Sequence, residues 1–257
     1  MKIILSTNDS ETYLQFCPLV AGAWEKFVPN AEVVILCIGA EVVNRLEGIG
    51  HRLVKYDRHP GMPSGHQAKL SRMLYASTLG DEFSMLADVD MLPLSGEFFK
   101  YLQIRKEGHI LNLGVDAYED WTTHRYPMYY NIGTGNTWKQ ILNPRGMDTA
   151  ALLDSWQGPK IDGKDDPFIA PFSDESLLRA LMIKAKFKNV FGIRRGWSGG
   201  IASFRLDRAC WPSGAIPPGK FIDAHLPRPL AAYTQDLETL AEAVGLDPGL
   251  VGVGVGL

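Results

Sequence analysis

Asp88 and Asp90, in the stretch SMLADVDMLPL, are two carboxylates one residue apart between apolar flanks. In an extended chain, residues i and i+2 project to the same side. This reading therefore aims both carboxylates one way and leaves Val89 to pack on the other. Two like charges so close repel, and one is driven toward protonation unless a cation lies between them. Hard divalent ions such as Mn²⁺ and Mg²⁺ take oxygen ligands of this kind, often shared with a phosphate. The chemistry expected of the pair is binding of Mn²⁺ or Mg²⁺ together with a phosphorylated ligand. The competing account is a solvated turn at a strand end, where aspartate is common.

Further residues of chemical interest flank the pair. Lys69 and Arg72 are i, i+3 neighbours on one helix face, suited either to an anionic ligand or to solvent. Asp174 and Glu175 follow Ser173 and open a helix, where first-turn acids are also favoured by the helix dipole. Trp138, Trp156, Trp197 and Trp211 sit beside glycine and polar residues, as sugar-stacking platforms or, more commonly, core aromatics.

The elements that position these residues read as alternating strand and helix. Ile3–Leu5 is a short buried strand ending in Ser6-Thr7-Asn8-Asp9. Asp9 or Ser10 then caps a helix carrying Leu14, Leu19, Ala23, Trp24 and Phe27. Residues 31–38 form a β-branched buried strand. A helix over 40–47, a strand over 52–56, a Gly- and Pro-rich loop, a helix over 67–79 and a strand over 83–87 follow. The pattern predicts an α/β chain with a Rossmann-like, mainly parallel central sheet flanked by helices. The second half is loop-rich. It carries helices near 96–104, 136–142, 147–156 and 174–185, and strands near 109–113, 128–132 and 189–191. The stretch GWSGGIASF and the Pro-rich 212–229 read as loops, and the Gly-rich end reads as a frayed tail. STNDSETY, after the first strand, has no glycine, which argues against a dinucleotide fingerprint.

Composition narrows the classes. The 257 residues suffice for one large domain, with 46% hydrophobic and 21% charged residues. A net charge of −3 speaks against nucleic acid as partner. Cys17, Cys37 and Cys210 lie far apart, with no disulfide framework or zinc knuckle in their spacing. No signal peptide or apolar run of membrane-spanning length is visible, so the expectation is a cytoplasmic protein without stable membrane insertion.

The order of these segments resembles a GT-A fold glycosyltransferase, most of all the glycogenin and bacterial galactosyltransferase group, family 8. Ser6-Thr7-Asn8 with Tyr13 is similar to the family's opening strand and turn, and QAKLSRMLYA to its Lys- and Arg-bearing helix. LADVDMLPL resembles its DxD strand, YYNIGTGNTW its Asn-x-Gly strand, and SDESLLRAL its Asp-Gln helix start. DAHLPRPL resembles its terminal His and Lys-Pro element, with Arg228 near the lysine position. The resemblance spans roughly residues 2–230. It implies one GT-A domain over 1–257: a nucleotide-binding half over about 1–95, an acceptor and sugar half over about 96–230, and a C-terminal helix and tail over 231–257. It implies hexosyl transfer from a UDP- or GDP-sugar to a carbohydrate or protein-linked glycan. Thr7, Asn8, Tyr13, Lys69, Arg72, Asp88, Val89, Asn131 and Arg228 are its expected donor-binding residues. Asp88, Asp90 and His225 are the expected metal ligands, and Asp174 or Glu175 the catalytic carboxylate. The family's glutamine is Glu175 here, which adds a candidate base.

Two other readings stay open. An apolar strand ending in DxD also resembles haloacid-dehalogenase-type phosphatases, with Asp88 as nucleophile and Asp165-Asp166 as a late acidic pair. A catalytically silent nucleotide- or sugar-binding domain of the same fold is the third.

Overall fold

The computed structural model describes residues 1–115, 126–156, 160–161, 164–165, 174–194, 204–211 and 219–252. Trp197, Asp166, most of GWSGGIASF, residues 212–218 of the Pro-rich stretch and the last residues of the tail lie outside them.

The first half alternates β1 (Lys2–Thr7), α1 (Glu11–Leu14), α2 (Cys17–Phe27), β2 (Glu32–Ile38), α3 (Ala40–Leu46), β3 (Arg52–Tyr56), α4 (Ser64–Ala76) and β4 (Phe83–Leu86). After β5 (Met91–Pro93) and a 3₁₀ segment (Phe98–Ile104) come β6 (Ile110–Leu113), β7 (Asn131–Thr134), α5 (Gly135–Leu142) and α6 (Thr149–Trp156). A hairpin of β8 (Lys160–Ile161) and β9 (Lys164–Asp165) precedes α7 (Asp174–Lys184) and β10 (Val190–Ile193). The chain continues through β11 (Phe204–Leu206), β12 (Phe221–His225) and α8 (Thr234–Ala243).

Seven strands form the central sheet in the order β10-β6-β7-β4-β1-β2-β3. Among the described residues of this sheet, only β7 runs against its neighbours; the other pairings are parallel. Alternate residues of one strand enter opposite cores, as the pleat demands. Ile3, Leu5, Val33 and Ile35 pack on one face with α2 and α8, whereas Ile4, Val34 and Leu36 pack on the other with α4 through α7. Burial on both faces is why these strands read as continuous apolar runs. A second sheet, β11-β12-β5, pairs His225 with Met91, next to Asp90.

Four sequence expectations need correction. The single helix after Asp9 is two, α1 and α2, because Pro18 lacks an N–H and fits only the first turn of a new helix. The strand expected over 128–132 begins at Asn131, after a left-handed Tyr130 with φ of 55°. The Pro-rich 212–229 contains β12, whose pairing with β5 and β11 outweighs its flanking prolines. Finally, Asp88 and Asp90 are not in an extended strand. They lie in a turn closed by the Met91 amide donating to the Asp88 carbonyl at 3.1 Å, so the alternation argument does not apply to them.

No helix among the described residues is long and apolar enough to cross a membrane. Cys17 and Cys37 are buried free thiols.

Candidate functional site

The chain leaves β1 toward β2 and β3, then returns to place β4 on the other side of β1. Ligands of open α/β sheets collect at the carboxyl ends of strands where the order reverses in this way. A cavity of about 660 Å³ opens there. Thr7 and Asn8 at the end of β1, Tyr13 of α1, and Lys69 and Arg72 of α4 line it, with the Asp88-Val89-Asp90 turn. Asp174 and Glu175 at the start of α7, His225 at the end of β12 and Arg228 just beyond it line the cavity too. These residues come from both halves of the chain and meet in one place.

Asn131 is the exception, and its expected donor contact is corrected. Its side chain is fully buried in β7, accepting from Asn112 Nδ2 at 2.8 Å and donating to the Pro127 carbonyl at 2.7 Å. The amide is consumed in holding β6 and the Pro127 segment together. Trp138 and Trp156 are likewise core residues, and Trp211 packs edge-on against Tyr233, so none of the three is an open platform.

Local hydrogen bonds fix the rim. Asn8 Nδ2 donates to Ser64 Oγ at 3.1 Å, and Ser64 donates to Asp9 at 3.0 Å, tying the β1 turn to the first turn of α4. Gln67 of α4 accepts from the His59 amide and donates to the Asp57 carbonyl, which fixes the loop over that helix.

Two ionic clusters line the cavity. In the first, Arg72 is buried and joins two carboxylates: Nη1 donates to Asp88 Oδ1, and Nη2 to Asp174 Oδ2 at 2.7 Å. Nη1 also reaches the Ala87 carbonyl at 2.8 Å. Burial opposes the charge on Asp88, but Arg72 outweighs it and holds that carboxyl below its ordinary range. One guanidinium cannot neutralise two carboxylates. Burial pushes Asp174 above its ordinary range, with Asp88 adding to the rise and Arg72 only partly offsetting it.

In the second cluster, Arg208 and Arg228 both converge on Asp90 Oδ2, Arg208 Nη2 at 2.9 Å and Arg228 Nη2 closer still. Arg208 Nε donates to His225 Nδ1 at 3.1 Å, and His225 Nε2 lies 3.5 Å from Asp90 Oδ2. Arg228 lies over the Tyr13 ring at 4.6 Å, a cation–π contact that fixes the guanidinium plane. Behind this cluster, Arg205 grips Asp223 with two bonds of 2.9 and 2.8 Å, and the Tyr130 hydroxyl donates to the same carboxylate at 2.9 Å. That buried network locks β11 to β12 and so positions His225. Sequence reasoning missed Arg208. It sits in FRLDRACW without a motif, and only the Asp207 side chain capping the Ala209 amide marks a local turn.

The expected Mn²⁺ or Mg²⁺ has to be tested against this arrangement. Its ligands would be Asp88, Asp90 and His225. Asp88 Oδ1 and Asp90 Oδ2 are engaged by guanidinium groups, and the Arg208 bond makes His225 Nδ1 the acceptor. A neutral ring then carries its proton on Nε2, facing Asp90, and offers no lone pair there. Among the described residues, no cluster of three His, Cys, Asp or Glu side chains could hold a metal. The donor set as arranged does not fit a divalent cation. Nor is Asp88 arranged as a phosphatase nucleophile: it follows the fourth strand and its carboxylate is tied to Arg72.

No family model matches the chain, and no curated protein matches its sequence. Solved structures do match its fold. The galactosyltransferase LgtC, solved in complex with donor and acceptor sugar analogues, superposes with a TM-score of 0.52 at 13% identity, over 95% of both chains. The glycosyltransferase GlyE of Streptococcus pneumoniae TIGR4 gives 0.52 at 10% identity over 97% of this chain, which spans 61% of GlyE. At this identity the likeness establishes the fold: the seven-stranded, mostly parallel sheet with its flanking helices is a GT-A fold.

Proposed function

We propose that the protein is a glycosyltransferase that moves a hexosyl group from a UDP- or GDP-sugar to a hydroxyl of a carbohydrate acceptor. The observation that supports this reading is the charge layout of the cavity at the carboxyl ends of β1 and β4. One cluster presents two guanidinium groups on a single carboxylate, suited to a diphosphate. The other gathers Asp88, Asp174 and Glu175, suited to a sugar and an attacking hydroxyl. LgtC, of the same fold, was solved with donor and acceptor sugar analogues.

In this reading the bond between the sugar's anomeric carbon and the diphosphate oxygen breaks, and its electron pair stays on the phosphate. Arg208 and Arg228 stabilise that developing charge. The acceptor oxygen bonds to the anomeric carbon and its proton passes to a carboxylate. We assign this role to Glu175, which lines the cavity at the start of α7. Asp174 acts through Arg72 as a positioning residue. No step passes through Mn²⁺ or Mg²⁺, since the groups that would hold the ion are held by arginines.

The test is incubation with a panel of UDP- and GDP-hexoses, with and without Mn²⁺, followed by assay of free nucleoside diphosphate. Protein-dependent release from at least one donor is expected. Release at the buffer rate from every donor would reject the reading.

A further inference from the structure

We propose that Arg208, together with Arg228, binds the donor diphosphate directly and takes the place of a divalent cation at the aspartate turn. This inference rests on the glycosyltransferase reading above and deepens it. Three observations carry it. First, the Asp90 carboxylate is a shared counter-ion: both guanidinium groups end on Oδ2, so the negative charge that would attract a metal instead aligns two arginines. Asp90 is 7% exposed, and a carboxylate so buried needs such partners to offset its lost hydration. Second, both arginines keep donors in reserve. A guanidinium has five N–H groups. Arg208 engages Nε and Nη2, Arg228 engages Nη2, and among the described residues Nη1 of each has no partner. Both side chains line the cavity. Third, the side chains that hold these arginines are themselves anchored. Tyr13 stacks on Arg228, and the Arg205–Asp223 pair fixes the strand that ends in His225, the acceptor for Arg208 Nε.

The chemistry suits a diphosphate better than a single carboxylate. Paired guanidinium groups offer parallel N–H donors to adjacent phosphoryl oxygens, with geometry that a lysine lacks. The positive charge is delivered without a hydrated ion. Asp207, 3.6 Å from His225 Nδ1 and half exposed, lies beside the ring without lining the cavity.

The experiment is calorimetric titration of the EDTA-stripped, full-length protein with UDP and with GDP, repeated after adding Mn²⁺. At least one nucleotide is expected to bind the stripped protein with an affinity that Mn²⁺ leaves unchanged. Arg208→Gln should weaken that binding about tenfold or more, in both conditions, the size expected for losing a charge-assisted hydrogen bond. Arg208→Lys should recover only part of the loss. If Arg208→Gln does not fold, Arg228→Gln, on a side chain 34% exposed, carries the same expectation. Binding that appears only with Mn²⁺, or an Arg208→Gln or Arg228→Gln protein that binds like wild type, would overturn the proposal while leaving the glycosyltransferase reading intact. If neither nucleotide binds in either condition, that reading fails, and this proposal with it.

Discussion

Asp88 and Asp174 share one guanidinium. Arg72 reaches Asp88 with Nη1 and Asp174 with Nη2, and the two carboxyls are displaced in opposite directions from the ordinary 3.8, Asp88 downward and Asp174 upward. Their contributions to stability therefore have opposite pH dependence. The depressed Asp88 stabilises the fold above the ordinary carboxylate value, and that contribution is lost as pH falls through its folded value. The raised Asp174 contributes fully below 3.8 and loses that contribution as pH rises through its folded value. In urea unfolding from neutrality downward, the deficit of Asp88→Asn relative to wild type should shrink with acidity, while that of Asp174→Asn should grow. Slopes of the same sign would show that the two carboxyls do not compete for Arg72.

Glu175→Gln keeps the shape of the side chain and removes its basicity. Transfer should fall about a hundredfold or more, the usual effect of losing a general base, with UDP or GDP affinity preserved. Wild-type transfer in that variant would move the base elsewhere in the cavity.

Asp223 is wholly buried and accepts from Arg205 and Tyr130. Asp223→Ala leaves the largely buried Arg205 guanidinium without its counter-ion and should cost about 3–5 kcal/mol in denaturant unfolding. A cost below about 1 kcal/mol, the range of an exposed pair, would mean that the network is solvated rather than structural.

Asn131→Ala separates a structural from a sugar-binding role. Because both ends of the amide are engaged inside the sheet, the variant should lose about 1–3 kcal/mol of stability. Its kcat/KM, measured on folded protein, should stay near wild type. Lost transfer at undiminished stability would return Asn131 to the site.

The sequence by itself determined the layers. Strands such as β1 and β2 are buried on both faces, so Ile3-Ile4-Leu5 and Val33-Val34-Ile35-Leu36 carry their assignment locally, as unbroken apolar runs between polar turns. It also determined which residues were candidates, since Asp88, Asp90, Asp174, Glu175 and His225 stand out by type against their neighbours. The tertiary structure alone decided what neutralises them. Arg72 is 102 residues from Asp174, and Arg208 and Arg228 are 118 and 138 residues from Asp90. The tertiary structure also decided that β7 runs antiparallel and that β12 pairs with β5. Local pattern reflects how a residue suits its own helix or strand. A counter-ion is chosen by proximity in space, and proximity is set by strand order. Two aspartates one residue apart between apolar flanks therefore show in sequence that a positive charge is required, and only the fold shows that guanidinium groups supply it.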